Sequence, residues 1–333
     1  MMKWTVAVPL LGLIVASGAR ADDAAAVQAV YRDWMAPRAA ELVADSARLV
    51  HALDVYCAAP PQDAQAALGV ARNAWRTSLL SWERLSAVAI GAALDYRIQS
   101  KLDFRPTRPR MIRKAVAAGP AGVEAMDRIG APAKGFPALE WLLWSKPMRP
   151  ASPECRYAVQ VAMEIEREIR FIERAFRESA RESLDAAAAN AALNELVNQW
   201  IGGLDRLRWA DMEKPMRKAA TARKKAAPEF LRDASGATAA SWAARWEALR
   251  ALAAAESAGS LASLLRARGH GKPADALARS VDGTSAAMKG LDAMDSDQIM
   301  ASARELSTLR RLVERDVAPA LGVRVGFSDA DGD

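Results

Sequence analysis

An all-α fold arranged as two helical bundles is what this sequence predicts, and three observations lead there. Apolar residues recur at helical spacing through long stretches, no alternating run of β-branched residues competes with them, and short breaks rich in proline and glycine separate the stretches. Long amphipathic helices joined by short connections bury their stripes against one another, which makes a bundle.

The chain opens Met1-Met2-Lys3, passes through the apolar stretch Val6 to Val15 and reaches Ala19-Arg20-Ala21. A basic start, an apolar middle and a small-x-small end have the form of a secretory leader, with cleavage expected before Asp22. The apolar stretch is shorter than the roughly 18 residues that a membrane anchor needs, and Gly12, Ser17 and Gly18 dilute it. No cysteine follows it, so the mature protein is expected in the periplasm without lipid attachment or a membrane span. In that oxidising compartment Cys57 and Cys155 are expected to form a disulfide, two buried free thiols being the alternative. Closing a loop of about 100 residues stabilises by roughly 4.7 kcal/mol in the loop-entropy account.

The breaks come in order at Ala59-Pro60-Pro61, Pro106 to Pro109, Gly119-Pro120, Gly130 to Gly135, Pro147 to Pro153, Pro228 and Gly269 to Pro273. After the fifth, Ala158, Val161, Ala162, Ile165, Ile169, Ile172 and Phe176 fall on one helical stripe. Glu164, Glu166, Glu168 and Glu173 are expected on a solvated face balanced by Arg167 and Arg170. Near the end Leu306, Leu309, Leu312, Val313 and Val317 repeat the pattern. The Pro147 to Pro153 break divides two strongly helical halves, so residues 22–150 are expected as one bundle and 151–333 as the other, after a leader at 1–21. Trp75 and Trp82-Glu83-Arg84-Leu85 are echoed by Trp242 and Trp246-Glu247-Ala248-Leu249, which raises duplication as the origin of the two halves.

Removing residues 1–21 takes Lys3 and Arg20 and no acid, so 46 basic and 40 acidic residues become 44 and 40, a net charge of +4. Basic residues alternate with acidic ones along the helices instead of gathering on one face, which argues against nucleic acid as a partner. Catalytic signals are equally absent. There is no Gly-x-Ser-x-Gly, no His-Glu-x-x-His and no Cys-x-x-Cys-His, and the only histidines are His51 and His270. A zinc peptidase site needs about three protein ligands and an open position for water.

The most informative stretch is Gly135-Phe136-Pro137-Ala138-Leu139-Glu140-Trp141-Leu142-Leu143-Trp144, with proline suited to the first turn of a helix and Leu139, Leu142 and Leu143 as its stripe. It resembles the Gly-x-His-x-x-Glu segment of the imelysin-like family, also classed as M75 peptidases. Leu53 to Pro60, Ala74-Trp75-Arg76, Lys101 to Pro106 and Gly326 to Asp333 are similar to family landmarks in the same order. The resemblance implies an all-α fold of two bundles, an envelope location and membership of a group associated with iron uptake. The group is named for a peptidase activity that is not general to its members.

Gly135 and Glu140 match the motif, and Pro137 stands where the family has histidine. A histidine and a glutamate three apart share a helix face and can share a metal, but proline has no side-chain donor, so a metal centre of the family type is not expected from this segment. Glu140 is read either as a ligand-contacting acid or as a carboxylate paired with an arginine. Trp75, Trp82, Trp141 and Trp144 either floor a cleft or pack in the core, and Arg76, Arg84 and Asp103 either line that cleft or pair across helices. Asp329, Asp331 and Asp333 are read as an acidic tail or as part of an incomplete calcium site. The leading expectation is a periplasmic protein handling iron or another divalent metal without peptidase activity. An M75-type metallopeptidase and an interaction module for an envelope transporter are the alternatives.

Overall fold

The computed structural model describes residues 23–145, 148–222 and 227–326. Among the described residues there is no β-strand, and the all-α expectation holds. The leader at 1–21 and the acidic tail through Asp329, Asp331 and Asp333 lie outside them. Within the described residues no helix is long and apolar enough to cross a membrane.

The first long helix, α1 (Ala36–Ala58), continues from a π-helical turn at Tyr31–Met35. The Pro60-Pro61 break reverses the chain into α2 (Ala64–Ser86). The Ser46 and Ser78 hydroxyls meet at 3.3 Å and Ser81 bonds Asp45, so the two helices run antiparallel. Short helices follow, including Ile98–Leu102 and Pro109–Ala118. Then comes α3 (Gly135–Glu140), prolonged by a π-helical turn at Trp141–Ser145. Gly135 opens α3 at φ +73°, and a Cβ there would lie 2.1 Å from the Leu102 carbonyl oxygen. Only glycine permits that approach, which sets α3 against the segment carrying Asp103.

Helix α4 (Pro153–Ser179) starts as the breaks predict, with Pro153 in its first turn and the Ser152 hydroxyl accepting from the Cys155 N–H at 3.2 Å. Its predicted stripe, Ala158 to Phe176, is buried. Cys57 and Cys155 form the expected disulfide, with Cα atoms 5.7 Å apart, and the Tyr31 and Phe176 rings meet at 5.8 Å. Contacts at both ends make α4 antiparallel to α1. The acidic face of α4 is drier than expected. Glu173 is buried beside Arg177, and Glu164 is covered and bonded to Lys134, so burial pushes its carboxyl up despite the lysine. Helix α4 begins just after residue 150 and packs along α1. The chain of α4 thereby returns onto the first helices.

The second group holds α5 (Ala186–Asp205), α6 (Thr238–Ala254), α7 (Leu261–Ala267), α8 (Gly271–Met288) and α9 (Ser296–Leu312). Asp185 caps α5 by accepting from the Ala187 and Ala188 N–H groups, and α5 runs on through a π-helical turn at Arg206–Glu213. Leu306, Leu309, Val313 and Val317 are buried, while Leu312 is half-buried at the edge of the stripe. Helices α2 and α6, which carry the two echoing tryptophan segments, pack against each other. Gly203 lets α5 close on the same region, because a Cβ there would lie 2.1 Å from the Ala87 carbonyl oxygen.

Candidate functional site

Where α2 meets α6, the apolar stripes are interrupted by charge. Glu83 lies four residues after Leu79 and eight after Trp75, so it occupies the buried face of α2, and Arg245 lies three after Trp242 on the buried face of α6. Both are driven inward by the residues on either side of them. Arg232, in the connection before α6, adopts a left-handed backbone at φ +65° and is buried. That conformation costs a non-glycine residue about 1–2 kcal/mol, a cost that the contacts of its guanidinium offset.

The polar atoms are matched closely. Glu83 accepts from Arg245 Nε at 2.6 Å and from Arg232 Nη2 at 3.3 Å. Asp103 Oδ1 accepts from Arg232 Nη2 at 2.6 Å, and its Oδ2 from Arg105 Nη2 at 2.5 Å. Asp211 accepts from Arg105 Nη1 at 3.2 Å and also from Arg245 Nη1. Glu140 Oε1 accepts from the Ser235 backbone N–H at 3.1 Å and its hydroxyl at 2.6 Å, with Arg232 Nη1 3.9 Å from Oε2. Burial by itself would raise the Asp103 carboxyl, but the charges of Arg105 and Arg232 overcome it and hold it well below the usual carboxylate range. Arg105 is likewise held firmly charged, since Asp103, Asp211 and Glu83 outweigh its burial.

Of the residues singled out by sequence, Glu140 and Asp103 enter this box. Arg76 reaches its edge, donating to the Ser235 carbonyl at 2.7 Å and lying 5.1 Å from the centre of the Trp144 ring. Trp75 is fully buried, edge-on to Trp144 at 4.9 Å and to Phe136 at 6.5 Å, and Trp82 stacks on Phe136 at 6.0 Å. Pro137 is buried in the first turn of α3. Trp141 is half-buried, with Arg113 over its ring at 5.8 Å. Arg84 pairs separately with Glu247 at 2.7 Å. Sequence reasoning missed Glu83, Arg105, Asp211, Arg232, Ser235 and Arg245 as site residues. For Glu83 and Arg245 a signal existed: each is a charge at a position where helical spacing puts an apolar side chain.

This donor set does not fit a metal centre. The oxygens of the box are engaged by guanidinium groups or by Ser235, and three arginines among them repel a cation. Among the described residues no group of three or more His, Cys, Asp or Glu is placed to hold a metal ion. His51 and His270 are both exposed.

Beside the box opens a cavity of about 440 Å³, between the 97–105 segment and the end of α5, where Gln199, Gly202 and Arg206 share one face. Asp103 and Arg105 belong to both box and cavity. The Arg206 guanidinium makes no hydrogen bond or ion pair with the described residues. Burial, and then the nearby charge of Arg245, lower its guanidinium to about 10.

The family model described as Peptidase_M75: Imelysin matches residues 35–315. Two solved structures share the fold. An imelysin-like protein from Psychrobacter arcticum 273-4 superposes with a TM-score of 0.78 at 19% identity, over 97% of this chain and 100% of that one. A putative iron-regulated protein A precursor from Parabacteroides distasonis ATCC 8503 gives a TM-score of 0.67 at 15% identity, over 88% and 94%. No match was found among curated proteins.

Proposed function

This chain belongs to the imelysin family, and on that premise we propose that it is an exported binding protein serving the acquisition of iron or another metal, without peptidase activity. The observation that carries the second half is the state of Glu140. Its Oε1 is held by two Ser235 donors with an arginine close to Oε2, and Pro137, three residues earlier, contributes no donor atom. A carboxylate held this way is committed to the fold, whereas metal-assisted hydrolysis requires open ligands and an activated water. Export is supported by the leader pattern at 1–21, by the disulfide and by the word precursor in the name of the Parabacteroides protein. The link to iron is supported by that same name and by the family.

A deletion strain is expected to grow poorly when iron is scarce and to recover when iron is added. Growth equal to the parent strain's under iron limitation overturns the iron reading. Purified mature protein is expected to leave protein substrates intact with or without added zinc, and chelator-sensitive cleavage that disappears in Glu140→Gln overturns the non-peptidase reading. Docking onto an envelope transporter, the other class of role, predicts co-purification with that transporter from membranes irrespective of chelator.

A further inference from the structure

The carboxylates of the charge box are all engaged within it, but the cavity beside it carries an excess of positive charge. Three guanidinium groups, those of Arg97, Arg105 and Arg206, line it against the single carboxylate of Asp103. Both oxygens of that carboxylate are occupied, one by Arg232 and the other by Arg105. Arg105 is spoken for by Asp103 and Asp211. Arg97 stands exposed at the rim, on a left-handed backbone at φ +49°. Arg206 is the outstanding feature: a half-buried guanidinium in the lining, close to other arginines, with five donors and no acceptor among the described residues. Gln99 and Gln199 add neutral amides to the same lining.

A guanidinium without a bonded acceptor, in a concavity lined by further arginines, attracts an anion, and its planar fork fits a carboxylate with two parallel hydrogen bonds. About 440 Å³ exceeds what one inorganic ion fills and suits a small molecule with several oxygens. We propose that this cavity binds a small polycarboxylate, seated on Arg206 with Arg105 and Arg97 flanking it. The proposal deepens the reading of the protein as a binding protein for metal acquisition and rests on it in one respect. If iron is the cargo, it arrives as an anionic carboxylate chelate, because the arginines that repel a bare cation attract the chelate.

The test is a titration of the purified mature protein with citrate in metal-free buffer at physiological salt, followed by calorimetry and by thermal unfolding. Inorganic phosphate and the uncharged trimethyl ester of citrate are titrated alongside. The wild type is expected to show a saturable response to citrate and none to the ester. Arg206→Gln is expected to weaken citrate at least tenfold while unfolding, without ligand, at or above the wild-type midpoint, because it breaks no ion pair among the described residues and relieves repulsion from Arg245 and Arg105. A purely structural arginine would lower that midpoint instead, and such a result overturns the proposal. So does an Arg206→Gln affinity equal to the wild type's, or saturable binding of phosphate without citrate. Because no metal is present, failure here leaves the iron-limited growth phenotype standing, and failure of that phenotype leaves the anion site standing.

Discussion

Replacing Arg245 by methionine keeps most of the volume and removes the charge from the middle of the box. Arg245 donates to Glu83 through Nε at 2.6 Å, with Nη2 2.5 Å from the same carboxylate oxygen, and to Asp211 through Nη1. Without it, Glu83 retains only the long bonds from Arg232, at 3.4 Å from Nε and 3.3 Å from Nη2, and a 4.0 Å approach of Arg105, and Asp211 only the 3.2 Å bond from Arg105. Two buried carboxylates are left under-compensated, and breaking a buried pair from one side costs about 3–5 kcal/mol. Arg245→Met is therefore expected to lose that much in urea unfolding followed by circular dichroism. Glu83→Gln should restore part of the balance, so the double variant should lose less than the sum of the singles, with a coupling of about 2 kcal/mol. Arg84→Met, which breaks the half-exposed pair with Glu247 on the same two helices, should cost no more than about 1 kcal/mol and serves as the control. If Arg245→Met costs as little as Arg84→Met, or if the two box substitutions add without coupling, the box does not clamp α2 to α6.

The Asp103 carboxyl, lowered by Arg105 and Arg232, contributes stability that is fully present above its unfolded value of about 3.9 and disappears as pH falls through its lower folded value. Unfolding free energy measured from pH 5 down to pH 2 is expected to fall less steeply in Asp103→Asn than in the wild type, and identical slopes contradict the assignment. Cys155→Ser opens a loop spanning 98 positions and is expected to cost about 2–5 kcal/mol, measured under oxidising conditions. Under a strong reductant the same variant and the wild type should unfold together, and a persistent gap would place the loss in packing at position 155.

How much of this was legible beforehand depended on the distance over which each interaction acts. The stripes of α4 and α9 could be read directly, because helical periodicity is a local property of the chain and each apolar position recurs within a turn or two. The start of α3 at Gly135 and the start of α4 at Pro153 were legible for the same reason, as was the pairing of the only two cysteines. Glu140 and Asp103 were picked out by resemblance to a family. Their distant partners were not, because Arg232 lies 129 positions from Asp103 and Ser235 95 positions from Glu140.

The sequence by itself determined that the chain is helical, where its long helices begin, and which cysteines join. Only the tertiary structure decided that α4 returns to α1, that Glu140 is held by Ser235, and that Arg206 faces a cavity with no acceptor of its own. The physical reason is that hydrophobic patterning is written within a few residues, whereas the compensation of a buried charge depends on groups that meet only after distant helices have packed.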